Sequence, residues 1–247
     1  MSYQIEICAN SVQSAINAEK GGANRVELCD NLWEGGTTPS MATIVLAKQQ
    51  VSIDVYVLIR PRGGDFVYSD LEFEIIKKDI LLCKEAGVDG IVCGVLLPSG
   101  EIDIGRTKEL VKLSHPLPFT FHRAFDHVDD IEKGIADLKE CGVVRVLTSG
   151  QKSRAIDGLD NLMMMSTFAG DEISIMPGGG VNTENIQKLH ARGFREFHFS
   201  AKSHVKGQKS YSNKVPMNGS KDIPEETIQV SDTNKIQEIK KLLDAIN

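Results

Sequence analysis

Two short segments of the chain repeat one pattern, a glutamate followed two positions later by a cysteine. They are Glu6-Ile7-Cys8 and Glu27-Leu28-Cys29, and both lie in short apolar runs typical of β-strands. Side chains two positions apart share one face of a strand, so each glutamate accompanies its cysteine. Thiolates are preferred ligands of Cu(I) and carboxylates transfer protons. The pattern therefore indicates either metal binding or acid–base chemistry.

Three other strand-like segments carry polar side chains at positions that would share a face with Glu6 and Glu27. Arg60, His122 and His198 would join Glu6 and Glu27 near one opening. One interpretation is a buried ion-pair network in which Arg60 neutralises a glutamate. The other is a catalytic group, with a glutamate as general base, His122 as general acid or base and Arg60 as an electrophilic clamp. A divalent metal held by the two glutamates and two histidines is a variant of the second interpretation.

Glycine-rich turns predict a second kind of site, one that binds an anion. Exposed backbone amides at such turns bind anions, and barrels often bind phosphate after strands seven and eight. Tight turns between a strand and a helix need glycine in any case, so the pattern also has a purely structural explanation. The predicted anion-binding residues are Arg62, Ser149, Gly150, Gly178, Gly179, Gly180 and Ser200.

Eight strand-like segments alternate with eight helix-like segments along the 247 residues. This alternation predicts one α/β domain over residues 1–247, a (β/α)₈ TIM barrel. A doubly wound open sheet would also alternate, but no GxGxxG motif follows the first strand. The predicted strands lie near Gln4–Cys8, Arg25–Cys29, Ile53–Arg60, Gly90–Val95, Phe119–His122, Arg145–Ser149, Ile173–Pro177 and Glu196–Ser200. The predicted helices lie near Val12–Lys20, Met41–Lys48, Leu71–Glu85, Arg106–Ser114, Asp130–Glu140, Arg154–Phe168, Glu184–Ala191 and Thr233–Ile246.

The segment from Ser203 to Ser231 breaks the alternation. It is polar and contains Lys206, Lys209, Lys214 and Lys221. We expect a long polar loop before the C-terminal helix, either a mobile solvated loop or a lid over the opening of the barrel.

Composition narrows the classes of partner. With 28 basic and 34 acidic side chains, the net charge of −6 argues against nucleic-acid binding, which favours a basic face. No apolar run approaches the roughly 20 residues that span a membrane, so no membrane partner is expected. The five cysteines form no CxxC motif and no paired framework. They are typical of reduced thiols in a cytoplasmic protein.

Several longer motifs carry a family resemblance. They are Cys29 with Glu34-Gly35-Gly36-Thr37-Thr38-Pro39-Ser40, Arg60-Pro61-Arg62-Gly63-Gly64-Asp65-Phe66 with Tyr68-Ser69-Asp70, Thr120-Phe121-His122-Arg123-Ala124-Phe125-Asp126, and Arg145-Val146-Leu147-Thr148-Ser149-Gly150-Gln151. From roughly Tyr3 to Ser203 the chain resembles the copper homeostasis protein CutC family. The resemblance implies a cytoplasmic (β/α)₈ barrel, a homodimer and a role in copper handling.

The residues themselves offer one pair of ligands for Cu(I). Cys8 and Cys29 would lie at the mouth of the barrel on neighbouring strands, about 4.8 Å apart, where two sulfurs can hold one ion. Two functions remain open. The first is a copper-binding protein without turnover, and the second is an enzyme that acts on a small phosphorylated or carboxylated substrate.

Overall fold

The structure, a computed structural model, describes residues 3–209, 211, 215, 217 and 223–246. Eight parallel strands and eight α-helices alternate along it. The strands of the main sheet are β1 (Gln4–Ala9), β2 (Arg25–Leu28), β3 (Asp54–Leu58), β4 (Gly90–Cys93), β5 (Phe119–Phe121), β6 (Arg145–Thr148), β7 (Ser174–Pro177) and β8 (Glu196–Phe199). The helices are α1 (Val12–Gly21), α2 (Met41–Gln50), α3 (Asp70–Glu85), α4 (Ile104–Ser114), α5 (Ile131–Cys141), α6 (Leu159–Ala169), α7 (Ile186–Ala191) and α8 (Thr233–Asp244).

The sheet closes on itself almost completely. Neighbouring strands pair in parallel in the order β7-β6-β5-β4-β3-β2-β1-β8, and one parallel bridge between Gly178 and His198 joins the two ends of that order. The predicted (β/α)₈ barrel is confirmed.

Side chains alternate along each strand between an apolar layer under the helices and a polar lumen inside the barrel. Outward-facing Ile5, Ile7, Val26 and Phe197 are fully buried between the sheet and the helices. Because side chains alternate, their strand neighbours point into the barrel. The apolar layer therefore fixes which polar residues share the interior.

Local sequence sets several helix ends. At the start of α3, the Ser69 side chain accepts from the Glu72 amide while the Glu72 side chain accepts from the Ser69 amide, an arrangement that satisfies two amides left free at a helix start. Helix α6 begins at Leu159 rather than at the predicted Arg154, because residues before Gly158 form a turn in which Arg154 pairs with Asp157.

The two ends of the predicted polar loop pair with each other as the strands of a β-hairpin. Strand β9 (Lys202–Lys206) pairs antiparallel with β10 (Thr227–Ser231). The base of this hairpin is bound to α1, where Ser14 Oγ accepts from the Ser231 amide at 3.1 Å and Asn17 Nδ2 donates to the Ser231 carbonyl at 2.9 Å. Two of the lysines predicted there, Lys214 and Lys221, lie outside the described residues.

Among the described residues, no helix combines the length and the apolar character needed to cross a bilayer.

Candidate functional site

A cavity of about 740 Å³ opens where the barrel strands end. Eight predicted site residues line it, namely Cys8, Glu27, Arg60, His122, Gly179, Gly180, His198 and Ser200. Two more, Glu6 and Cys29, lie immediately behind the wall, against His198 and Cys8 respectively. The alternation of strand residues therefore brings most of the predicted group together.

Beneath the cavity lies a buried network of ion pairs. The Arg25 guanidinium donates to Glu6 and, at 2.7 Å, to Glu196 Oε2. Arg145 donates to the same Glu196 oxygen at 2.6 Å. The Arg25 guanidinium also lies over the Tyr56 ring, 4.6 Å from its centroid. The parallel register of β1 and β2 produces the contact between Arg25 and Glu6, because it places these two residues opposite each other.

This network differs from the ion pair considered from sequence, in which Arg60 would neutralise a glutamate. Strand β3 ends at Leu58, so Arg60 belongs to the following loop. Its guanidinium donates to the carbonyls of Glu34 and Gly36, both at 2.7 Å, and to that of Gly64 at 2.8 Å. Arg60 thus holds two loops together, and most of its donors are already used, which weakens its predicted role as an electrophilic clamp.

The network also sets the charge of Glu6. Burial alone would raise the pKa of this carboxyl, but Arg25 and His198 outweigh burial and lower it to about 2. Glu6 is therefore a buried carboxylate. A general base needs a pKa closer to neutral, so its fixed partners favour a structural role over proton transfer.

His198 joins the network to the cavity. Its Nδ1 lies 2.7 Å from Glu6 Oε1, and its Nε2 lies 3.8 Å from Glu27 Oε2. Burial opposes a positive charge, yet Glu27, Cys8 and Glu6 together hold the pKa of His198 well above its usual value. Burial raises the pKa of Glu27, against the opposing effect of the His198 charge.

The two predicted copper ligands lie side by side. Cys8 Sγ and Cys29 Sγ are 3.5 Å apart, and both thiols are free. The hydrogen bond to Cys29, followed by burial, raises the pKa of Cys8 well above its usual value. A sulfur of Cys8, a carboxylate oxygen of Glu27 and a ring nitrogen of His198 also lie within 4.8 Å of one another. Cys8 therefore belongs to two adjoining sets of potential metal ligands.

His122 belongs to the cavity lining, and its ring is neutral. Its Nδ1 accepts the Ala124 amide at 3.2 Å, which places the remaining proton on Nε2. Burial and the nearby Arg60 charge lower the pKa of His122 to about 3. Within the described part of the chain, its buried Nε2 has no hydrogen-bond partner.

Several predicted anion-binding residues are committed to protein partners. Arg62 pairs with Glu72 at 2.5 Å and with Asp65 at 3.2 Å, away from the cavity lining. Ser149 bonds to Asp126 and Lys152, while Gly150 donates to Thr148 Oγ1 at 2.9 Å. The Gly178 amide donates to the Thr148 carbonyl at 2.9 Å. These contacts support the turns, and an anion-binding role for these residues stays a prediction.

Sequence reasoning assigned no role to several residues of the site. Arg25 and Glu196 were readable as inward by alternation, and Arg145 begins a predicted strand, but their mutual pairing depends on register. Arg123 lies in the cavity lining, and its only sequence signal was its place within the family motif.

Comparison with known proteins decides the family. The family model described as CutC family matches residues 3–203. This chain belongs to the CutC family. The copper homeostasis protein CutC homolog of Mus musculus is 47% identical over 95% of this chain and 87% of its own length. The CutC family protein of Chromobacterium violaceum is 41% identical over 99% of both chains.

A solved CutC structure has the same fold. The crystal structure of CutC from Streptococcus agalactiae aligns with a TM-score of 0.76 and 37% identity, over 80% of this chain and 98% of that one. The CutC barrel and the predicted resemblance are thus confirmed together.

Proposed function

We propose that this CutC family member serves copper homeostasis by binding Cu(I) at the floor of the barrel cavity, through Cys8 and Cys29. The 3.5 Å separation of the two sulfurs carries the proposal, because both can contact one ion without rearrangement of the strands. Cu(I) favours thiolate sulfur over oxygen ligands, and the name of the murine relative includes copper homeostasis.

His198 supplies a third donor beside Cys8. Histidines that bind metals usually donate their other ring N–H to a carboxylate, which orients the ring. Glu6 occupies this position, since its Oε1 lies 2.7 Å from His198 Nδ1. The buried ion pair with Arg25 then acts indirectly, because it keeps Glu6 ionised and in place.

Copper binding should become tighter as pH rises. The pKa of Cys8 is raised well above its usual value, so Cys8 carries a thiol proton that Cu(I) must displace. Affinity should increase about tenfold per pH unit for each proton released, until the thiol ionises by itself. Anaerobic competition titrations with a Cu(I) chelator between pH 6 and 8 measure this slope.

The same titration in weakly buffered solution should release protons in step with copper. Affinity that is independent of pH, together with no proton release, would contradict binding by Cys8. Zn²⁺ serves as a comparison ion, and we expect Cu(I) to be preferred because thiolate sulfur suits Cu(I), whereas structural Zn²⁺ sites almost always have four ligands.

The remaining partner prediction is a homodimer in the cytoplasm. Leu71, Ile75 and Leu82 lie along one face of α3 and are 74%, 41% and 44% exposed, which is the kind of apolar stripe that marks an interface. The absence of disulfides among the five cysteines is compatible with a reducing compartment.

The dimer prediction has a direct measurement. Light scattering coupled to size exclusion should give twice the mass of one chain, and Leu71→Glu combined with Leu82→Glu should give the single-chain mass. Val144→Glu serves as the control, because Val144 is also exposed but lies between α5 and β6 rather than on α3. A parent protein of single-chain mass would refute the dimer.

A further inference from the structure

The cavity is much larger than one copper ion requires. Its volume of about 740 Å³ lies within the roughly 300–1,000 Å³ typical of pockets for small organic molecules. Part of its wall is apolar, formed by Leu58, Phe66 and Leu147. The space above Cys8 is thus suited to an organic ligand.

One buried donor in this wall lacks an acceptor. His122 is 5% exposed, and its Nε2 has no partner among the described residues. A buried donor without an acceptor destabilises a protein, because its lost hydration is not replaced. The Nδ1 contact with Ala124 and the Phe66 ring, whose centroid is 5.0 Å from that of His122, hold the ring in position. A ligand oxygen at Nε2 would satisfy this donor.

A second set of donors lies in the turn after β7. Gly179 and Gly180 have φ angles of +93° and +69°, and successive residues in turns of this kind direct their amides into one concavity that binds anions. Their carbonyls are held by Ala155 and Asn185, both at 2.8 Å. In the part of the chain that the structure describes, neither glycine amide donates to a protein acceptor.

One positive side chain lies beside this turn and two more line the cavity. Arg123 uses Nε on Asp126 and Nη2 on Ser149, whereas its Nη1 would lie 3.5 Å from a Cβ placed on Gly179. The two that line the cavity are Lys202 and Lys235, where Lys235 Nζ donates to the Lys202 carbonyl at 2.8 Å. A guanidinium nitrogen, two ammonium groups and two amides match the several terminal oxygens of a phosphate better than the two of a carboxylate.

From this arrangement we infer that the cavity binds a small phosphate monoester. Its phosphate lies at Gly179, Gly180, Arg123 and Lys202, and an oxygen of its organic part accepts from His122 Nε2. The site lies beside the copper ligands and does not depend on them, so the inference goes beyond the proposed copper function.

The first test uses copper-free protein and glycerol 3-phosphate as the probe. At one hundred times its dissociation constant, the probe should raise the melting temperature by about 5–10 °C. Glycerol with sodium chloride at matched ionic strength should give almost no shift. Equal shifts from the probe and from this mixture would overturn the site, because screening alone would then explain the stabilisation.

Variants then separate the two halves of the site by calorimetric titration. Lys202→Met should weaken glycerol 3-phosphate and inorganic phosphate alike, by about threefold to tenfold. His122→Phe should weaken only the ester, by roughly fivefold, because inorganic phosphate has no organic part to meet Nε2. Lys188→Met removes an exposed lysine of α7 outside the cavity lining and should change neither affinity.

The Lys202 variant keeps the inference testable if His122→Phe fails to fold, because Lys202 is exposed. Equal losses in Lys202→Met and Lys188→Met would show nonspecific attraction and overturn the proposed phosphate position. A His122→Phe protein that folds and binds the ester as the parent does would overturn the proposed orientation of the ligand.

Discussion

Cys8→Ser and Cys29→Ser should each lower the affinity for Cu(I) by at least about a hundredfold, since even outer partners of a metal ligand are commonly worth 10–100-fold. The two sulfurs lie 3.5 Å apart, so removal of either leaves the ion with one thiolate and a hard hydroxyl oxygen in place of the other. Anaerobic titration against a chromogenic Cu(I) chelator measures the change.

Cys141→Ser is the matched control for this experiment. Cys141 is also nearly buried, and its thiol contacts the Ile104 carbonyl at 3.7 Å, but it lies on α5 in the outer layer. We expect parental affinity in this variant. Unchanged binding in either Cys8→Ser or Cys29→Ser would remove the proposed copper site, whatever the behaviour of the control.

Arg25→Met should reduce the free energy of unfolding by about 3–5 kcal/mol, the usual cost of removing one member of a buried ion pair. Arg25 is 4% exposed and serves both Glu6 and Glu196. Its loss leaves a buried carboxylate without its main counter-charge. Urea unfolding at pH 7, followed by circular dichroism, measures the difference.

The control here is Arg154→Met, because Arg154 pairs with Asp157 at the surface. It should unfold close to the parental midpoint, since exposed ion pairs contribute little. The Arg25 effect should also shrink in acid. The pKa of Glu6 in the fold is about 2, below its ordinary 4.5, so its stabilisation is complete above about pH 4.5 and is lost as pH falls towards 2. Equal losses in the two variants at pH 7 would contradict the buried network.

Alternation predicted the lumen well for residues that lie within the paired part of a strand. Glu27 and His198 follow the two-residue period within β2 and β8, and both line the cavity. The same rule failed to define the role of Arg60, because β3 ends at Leu58. Beyond the last paired residue the backbone turns, so loop carbonyls rather than the strand period decide what a side chain contacts.

Pairing within the lumen was not accessible from sequence. Glu6 could be neutralised by any inward arginine, and only the stagger between β1 and β2 places Arg25 opposite it. Stagger is a property of the closed ring, and one chain read by itself does not reveal it. The hairpin strands were missed for another reason. Thr227–Ser231 alternates polar and apolar residues, but the lysines, glycines and prolines between the two strands dominated the composition of the segment.

The base of the hairpin has an evolutionary consequence. Ala201 and Asp232 flank β9 and β10, and the Asp232 amide donates to the Ala201 carbonyl at 2.9 Å. The chain thus leaves the barrel and rejoins it at almost the same point. A lineage could lengthen, shorten or exchange this segment while the eight strands stayed in register. Lys202 lies inside the excursion and Lys235 beyond it, on α8. Changes in this segment could therefore alter the side chains at the entrance of the cavity while the cysteine pair at its floor stayed unchanged.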